Sequence, residues 1–144
     1  MQEEELATQV IHEAYQIHRD LGPGLLESVY EVILSRRLQR LGLRVETQVP
    51  MSFDFDGLHI EKGFRVDLLV EGALIVETKS VELLTSRHAM QLLTYLRLAR
   101  FPLGLLLNFG GPVFRDGCRR VVNDYRVSPS IGARWGKRGN LDRA

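Results

Sequence analysis

The chain has 144 residues, 44% of them apolar and 26% charged, with a formal net charge of +1. Those values describe one soluble domain able to bury its own core, and they exclude a disordered, collagen-like or coiled-coil chain. No apolar run approaches the roughly 20 residues of a membrane helix, so no membrane partner is expected. The single cysteine, Cys118, excludes an internal disulfide and a Cys-rich zinc site. The acidic start MQEEEL is unlike a signal or transit peptide, so a reducing, cytoplasmic setting is expected. The charge is unevenly spread. Residues 1–125 hold 14 Lys/Arg against 17 Asp/Glu, a net −3, and residues 126–144 hold 5 against 1, a net +4. A polyanion must therefore be met by local patches or by the tail.

Leu6, Val10, Ile11, Ala14, Ile17 and Leu21 recur at helical intervals, which predicts an amphipathic helix over 3–20. Gly22-Pro23-Gly24 ends it. A second helix is expected from about Leu25 to Leu41, with Gly42 at its C-terminal cap. The period then becomes two. Val45, Thr47, Val49, Met51, Phe53 and Phe55 alternate with mostly polar residues, as in a half-buried strand. Asp56-Gly57 signals a two-residue hairpin, and the return strand to Val70 is expected to bulge at Gly63. ALIVETKS is a third strand. Thr85 or Ser86 can cap a helix over about 87–100. LGLLLNF is apolar on both faces, hence central in a sheet, and a weaker strand lies around 113–122. Residues 1–125 thus read as one domain, and 126–144 as a basic, mobile tail without periodicity. In that tail Arg134, Trp135, Lys137 and Arg138 mix charge with an aromatic, a composition suited to phosphate contact or to simple solvation.

Asp67, Glu77 and Lys79 interrupt otherwise apolar runs, FRVDLLV and ALIVETKS. A carboxylate inside a buried strand is costly unless paired, hydrogen-bonded or metal-bound. Glu77 and Lys79 are two apart and share a face. The turn between the strands decides whether Asp67 joins them. A two-residue turn at Glu71-Gly72 sets Asp67 opposite Val76; a three-residue loop, Glu71 to Ala73, sets it opposite Glu77, and Arg65 opposite Lys79. The longer loop, or a bulge, is favoured because it joins two isolated liabilities into one site. Two carboxylates at that spacing repel unless a cation lies between them. Oxygen-only ligands suit Mg²⁺ or Mn²⁺. A lysine beside a metal-bound water can orient it and stabilise charge on a phosphoryl oxygen.

Asp67 followed by Glu77-Thr78-Lys79 resembles the PD-(D/E)xK nuclease superfamily. Gly24-Leu25-Leu26-Glu27-Ser28-Val29-Tyr30 further resembles the signature of its small GxxExxY family, as do GPGLLESVYE, FRVDLLVEGALIVETKSVE, QLLTYL and LGLLLNFG. The resemblance spans about residues 5–123. It implies a restriction-endonuclease-like α/β fold: an αβββαβ core, a mixed four- to five-stranded sheet flanked by helices, and an extra N-terminal helix. It implies that Asp67 and Glu77 ligate Mg²⁺ or Mn²⁺, with the Thr78 carbonyl a third ligand and Glu27 a further one, direct or through water. Lys79 would position the attacking water and Gln91 would line the site. Arg65, Arg87, His88, Tyr30 and Tyr95 are candidates for nucleic-acid contact. The expected activity is metal-dependent cleavage of nucleic acid, DNA foremost, with a homodimer or a larger nuclease assembly as the possible partners. Two departures stand out. Val66 replaces the superfamily's proline, and Thr78 stands where an apolar residue is common; its side chain is expected on the opposite face, affecting packing only. The alternative reading is a catalytically silent nucleic-acid-binding or protein-interaction module, favoured by the mildly acidic body. A small-nucleotide phosphohydrolase is disfavoured because Gly22-Pro23-Gly24 lacks P-loop spacing. His12, His18 and His59 show no metal-ligand spacing, and Cys118 reads as inert.

Overall fold

Glycine and local hydrogen bonding set the element boundaries in the computed structural model, which describes residues 2–123 and the backbone of 131–134. Helix α1 (Glu3–Leu21) ends at Gly22, whose φ of 71° closes the helix with an N–H to the His18 carbonyl. Helix α2 (Glu27–Arg40) ends at Leu41 and Gly42, where the Leu43 N–H returns to Leu38. Strands β1 (Val45–Phe55) and β2 (Leu58–Val70) meet at Asp56-Gly57, both with positive φ, the conformation a tight hairpin of right-twisted strands needs. The pairing slips between Met51 and Phe53, opposite Glu61 to Gly63. This is the expected bulge, and a Cβ at Gly63 would strike the Phe53 ring.

Strand β3 (Leu74–Lys79) pairs with β2 through Leu68↔Val76, Leu69↔Ile75 and Val70↔Leu74. The loop is therefore the three-residue one, with Glu71 and Gly72 both at positive φ. Helix α3 (Ser86–Ala99) begins with a capping box in which His88 accepts the Thr85 N–H and Thr85 is the N-cap. It crosses to β4 (Leu103–Asn108), parallel to β3 and buried throughout. A short 3-10 turn, Phe114–Gly117, leads into β5 (Cys118–Val122). The sheet order is β5-β4-β3-β2-β1-β6, where β6 (Ile131–Arg134) pairs antiparallel with β1. The sheet thus has six strands, one more than the largest number expected. The sixth comes from the segment read as tail: β1 offers an outer edge of backbone donors and acceptors, and four residues are too few for a periodic signal. Trp135, Lys137 and Arg138 lie outside the described residues.

The molecule has three layers. Helices α1 and α2 cover one face over Leu68, Val70, Leu74, Val76, Leu105 and Leu107. Helix α3 covers the other over Met51, Val66, Leu69, Ile75 and Leu106. This is the restriction-endonuclease-like α/β fold. Gly104 lets α3 approach: a Cβ there would lie 3.1 Å from Leu96 Cδ2, 3.2 Å from Leu92 Cδ1 and 3.3 Å from the Ile75 carbonyl.

The strand read as one alternating stripe does not keep one face inward. Val45 packs with the α1/α2 cluster, whereas Val49 and Met51 pack with the α3 cluster. Residues of one parity share a face in a regular strand, so β1 turns over between them. Gln48 is the cause, at a left-handed φ of 52°. Strand β2 turns over directly opposite, since Val66 belongs to the α3 side and Leu68 to the α1/α2 side. Asp67 sits at that crossing.

Gly104→Val should lower unfolding free energy by about 1–3 kcal/mol, because a branched side chain overpacks the α3 contact. Urea denaturation against wild type measures it.

Candidate active site

At the end of β2 and β3 the backbone ladder gives way to side chains. Its last pair is Leu68↔Val76. One step further, the Asp67 N–H donates to Glu77 Oε2 at 2.9 Å and the Thr78 N–H donates to Asp67 Oδ2 at 2.9 Å. Each carboxylate takes the backbone donor of the opposite strand. The pair is interlocked. The Thr78 hydroxyl also donates to Asp67 Oδ2 at 3.3 Å, so this residue does not act through packing on the far face alone.

Glu77 is 5% exposed. Burial, with the Asp67 charge adding to it, pushes its carboxyl up to about 8, against the pull of the Asp67 N–H and the Lys79 ammonium. At neutral pH the pair therefore retains a proton. Lys79, two residues on along β3, is half-buried and makes no ion pair among the described residues. Its charge acts on both Glu77 and Glu27.

Glu27 opens α2 and overhangs the same point. Ser80 anchors it: the Ser80 hydroxyl donates to the Leu25 carbonyl at 2.8 Å. Burial raises the Glu27 carboxyl, Lys79 lowers it, and Asp67 and Glu31 raise it. The four groups therefore share one electrostatic environment.

Among the described residues no three His, Cys, Asp or Glu side chains converge into a closed metal cage. The donor set that is present is two interlocked carboxylates holding a proton, with a third carboxylate nearby. It fits a hard divalent cation that binds one or two carboxylates and keeps several waters, and it does not fit an all-protein cage.

A model of the PD-(D/E)XK nuclease superfamily matches residues 4–121. The chain belongs to that superfamily. Neither a curated protein nor a solved structure matches it.

Other residues expected beside Asp67 and Glu77 in this PD-(D/E)XK superfamily member divide sharply. Arg65 and Tyr95 join them, both lining a groove that includes Asp67. Burial raises the Tyr95 phenol, and the Glu77 and Asp67 charges add to that. Tyr30 does not join them. It is fully buried, stacked on Phe109 with ring centroids 4.6 Å apart. Its hydroxyl donates to the Gly22 carbonyl at 2.6 Å and accepts the Leu25 N–H. A side chain with no exposed surface cannot meet nucleic acid; Tyr30 instead holds the Gly22–Gly24 turn that leads into Glu27. His88 is engaged in capping α3. Arg87 is exposed in the first turn of that helix. Gln91 is exposed one turn before Tyr95 and makes no hydrogen bond to the carboxylates.

Three residues of the site had no distinct sequence signal. Gln48 Nε2 donates to both oxygens of Glu31, at 2.8 and 3.0 Å, and to Asp67 Oδ1 at 3.3 Å. Glu31 is 8% exposed, and burial raises its carboxyl. Its one hint is its place four residues after Glu27, on the same helix face. Buried Asn108 clamps the loop after β3: Oδ1 accepts the Val81 and Gly110 N–H groups, and Nδ2 donates to the Val81 carbonyl.

Because the folded protein holds the Glu77 proton more tightly than the unfolded chain, this group contributes stability fully below its ordinary value of 4.5 and loses it as pH rises toward about 8. The metal-free protein should therefore melt at progressively lower temperature between pH 5 and 9. Glu77→Gln should flatten that dependence. Thermal melts in EDTA across that range measure both.

Proposed function

We propose that this chain is a Mg²⁺-dependent nuclease of the GxxExxY type that hydrolyses phosphodiester bonds, with DNA as its substrate. The observation that carries the reading is the interlocked Asp67–Glu77 pair with the Lys79 ammonium on the next outward position of β3. Asp67 and Glu77 would hold the ion, the Thr78 carbonyl and Glu27 would complete its surroundings, and Mn²⁺ would serve as well. When bound, the cation supplies a positive charge against the scissile phosphate and makes water a better nucleophile.

The remaining work falls to the chain itself. Lys79 donates from its ammonium to the attacking water and holds it in line with phosphorus. The same charge offsets the negative charge that builds on the phosphoryl oxygens. Burial raises the Glu27 carboxyl and Lys79 lowers it, so the charge of this residue is tied to the ammonium that positions the water. Asp67 stays aligned through the Thr78 N–H, the Thr78 hydroxyl and the Gln48 amide.

A second reading is a silent nucleic-acid-binding module on the same fold, favoured by the net −3 of residues 1–125. The two part company on turnover. Lys79→Ala should reduce DNA cleavage at least about 100-fold, the scale for losing one charge-stabilising donor, while circular dichroism and melting temperature stay near wild type. A Lys79→Ala protein that cuts at the wild-type rate overturns the assignment. Mg²⁺ or Mn²⁺ should also raise the melting temperature of wild type and not of Asp67→Asn, since binding to the folded state alone stabilises it.

A further inference from the structure

Two grooves flank Asp67, and they differ in chemistry. Both include Gln48, Arg65 and Asp67. On one side the groove encloses about 600 Å³ and adds Pro50, Lys62, Phe64 and Tyr95. On the other it encloses about 540 Å³ and adds Glu27 and Glu31 among apolar neighbours. Arg65 borders both; the first side adds a second cation and rings, and the second adds carboxylates.

The rings are ordered. Phe64 and Tyr95 are stacked, centroids 4.4 Å apart and planes 13° from parallel, and Phe53 backs Phe64 at 6.2 Å. Both stacked residues are only half-buried, so ring surface faces the groove. Lys62 stands on the β2 bulge and Arg65 three residues on; both are exposed, and neither is held in an ion pair among the described residues. Unengaged cations beside an aromatic pair are the two components of a single-strand surface: charge tracks the backbone and rings take the bases. A duplex keeps its base faces inside its own stack and can give such rings nothing.

We propose, building on the nuclease reading above, that the Lys62–Phe64–Arg65–Tyr95 groove receives an unpaired stretch of polynucleotide, a base against the rings and phosphates against the cations. The strand approaches the cleavage centre from this side, because the other groove adds Glu27 and Glu31 and no cation beyond the shared Arg65. The substrate is then a single-stranded segment, a flap or an overhang, and not an intact duplex.

The test is equilibrium binding in EDTA, where cleavage does not intervene, using eight-nucleotide DNA and RNA strands carrying 2-aminopurine and a blunt DNA duplex of the same sequence. Either single strand should bind at least 10-fold tighter than the duplex and quench the fluorophore. Tyr95→Leu should weaken that binding about 5- to 150-fold, the range for losing one base stack, and abolish the quenching, whereas Tyr95→Phe should preserve both. Lys62→Gln and Arg65→Gln should each reduce the slope of log affinity against log salt by about 0.7. Duplex binding as tight as single-strand binding overturns the proposal. So does unchanged quenching in a Tyr95→Leu protein whose melting temperature is preserved, or in Tyr95→Phe and Tyr95→Leu alike. The nuclease reading is tested apart: binding as described with no cleavage of any strand in Mg²⁺ rejects that reading and leaves this one standing, while cleavage without strand preference does the reverse.

Discussion

The centre depends on β1 and β2 turning over together at Gln48 and Asp67. The three-residue loop sets Asp67 opposite Glu77. The left-handed φ at Gln48 breaks the alternation of β1 directly across from Asp67, whose carboxylate accepts the Thr78 N–H of β3. A non-glycine residue in that conformation costs about 1–3 kcal/mol. Hydrogen bonds from its amide to two carboxylates, of the stronger charge-assisted kind, offset that cost locally. The strain and the interactions that hold it lie in the same side chain, so the turnover is fixed where the chemistry needs it.

What lies around this crossing is rigid for reasons that can be named. Strand β3 lies inside the sheet, paired with β4 as far as Lys79 and with β2 as far as Val76, so Glu77 and Lys79 are carried on a strand held by the β4 ladder. The loop after Lys79 is held from two directions, by Asn108 on β4 and by Ser80 on the Leu25 carbonyl. Tyr30 holds the turn before α2. Each contact fixes the entry or exit of an element that delivers a site residue, which is how a functional group is kept within a fraction of an ångström of its working position. Tyr30 and Asn108 touch no site carboxylate and yet set where Glu27 and Lys79 stand.

Most of the architecture was legible because its signals are local. The helical stripes, the Asp56-Gly57 turn, the capping Thr85 and the continuous apolar run of β4 each act over a few residues, and the structure follows them. The register between β2 and β3 was legible for another reason: only one loop length lets Asp67 and Glu77 relieve each other. The turnover at Gln48 was hidden, because the parity of Val45, Val49 and Met51 is the same whether or not the strand rotates between them. The roles of Thr78 and Tyr30 were hidden by the same kind of degeneracy. A threonine hydroxyl serves packing or a carboxylate equally well, and a tyrosine one turn after a site glutamate can face the groove or the core. Here Phe109, a distant residue in the sequence, decides for the core.

The net charge of the body looks unfavourable for a protein that handles a polyanion, but its distribution matters more than its sum. Four of the 17 acidic residues in 1–125 are Glu27, Glu31, Asp67 and Glu77, grouped around Lys79. Their repulsion is felt within a few ångströms of the cleavage centre and is screened beyond about 10 Å at moderate salt. Lys62 stands on the other side of Asp67, where a phosphate chain would arrive, and Arg65 borders both grooves. On the proposed function, a divalent cation held by Asp67 and Glu77 would offset negative charge at the point where the scissile phosphate enters. Ion and substrate would then favour each other at the cleavage step. The acidity that argues against a nucleic-acid protein when averaged over the chain is, at this position, confined to one small group of residues.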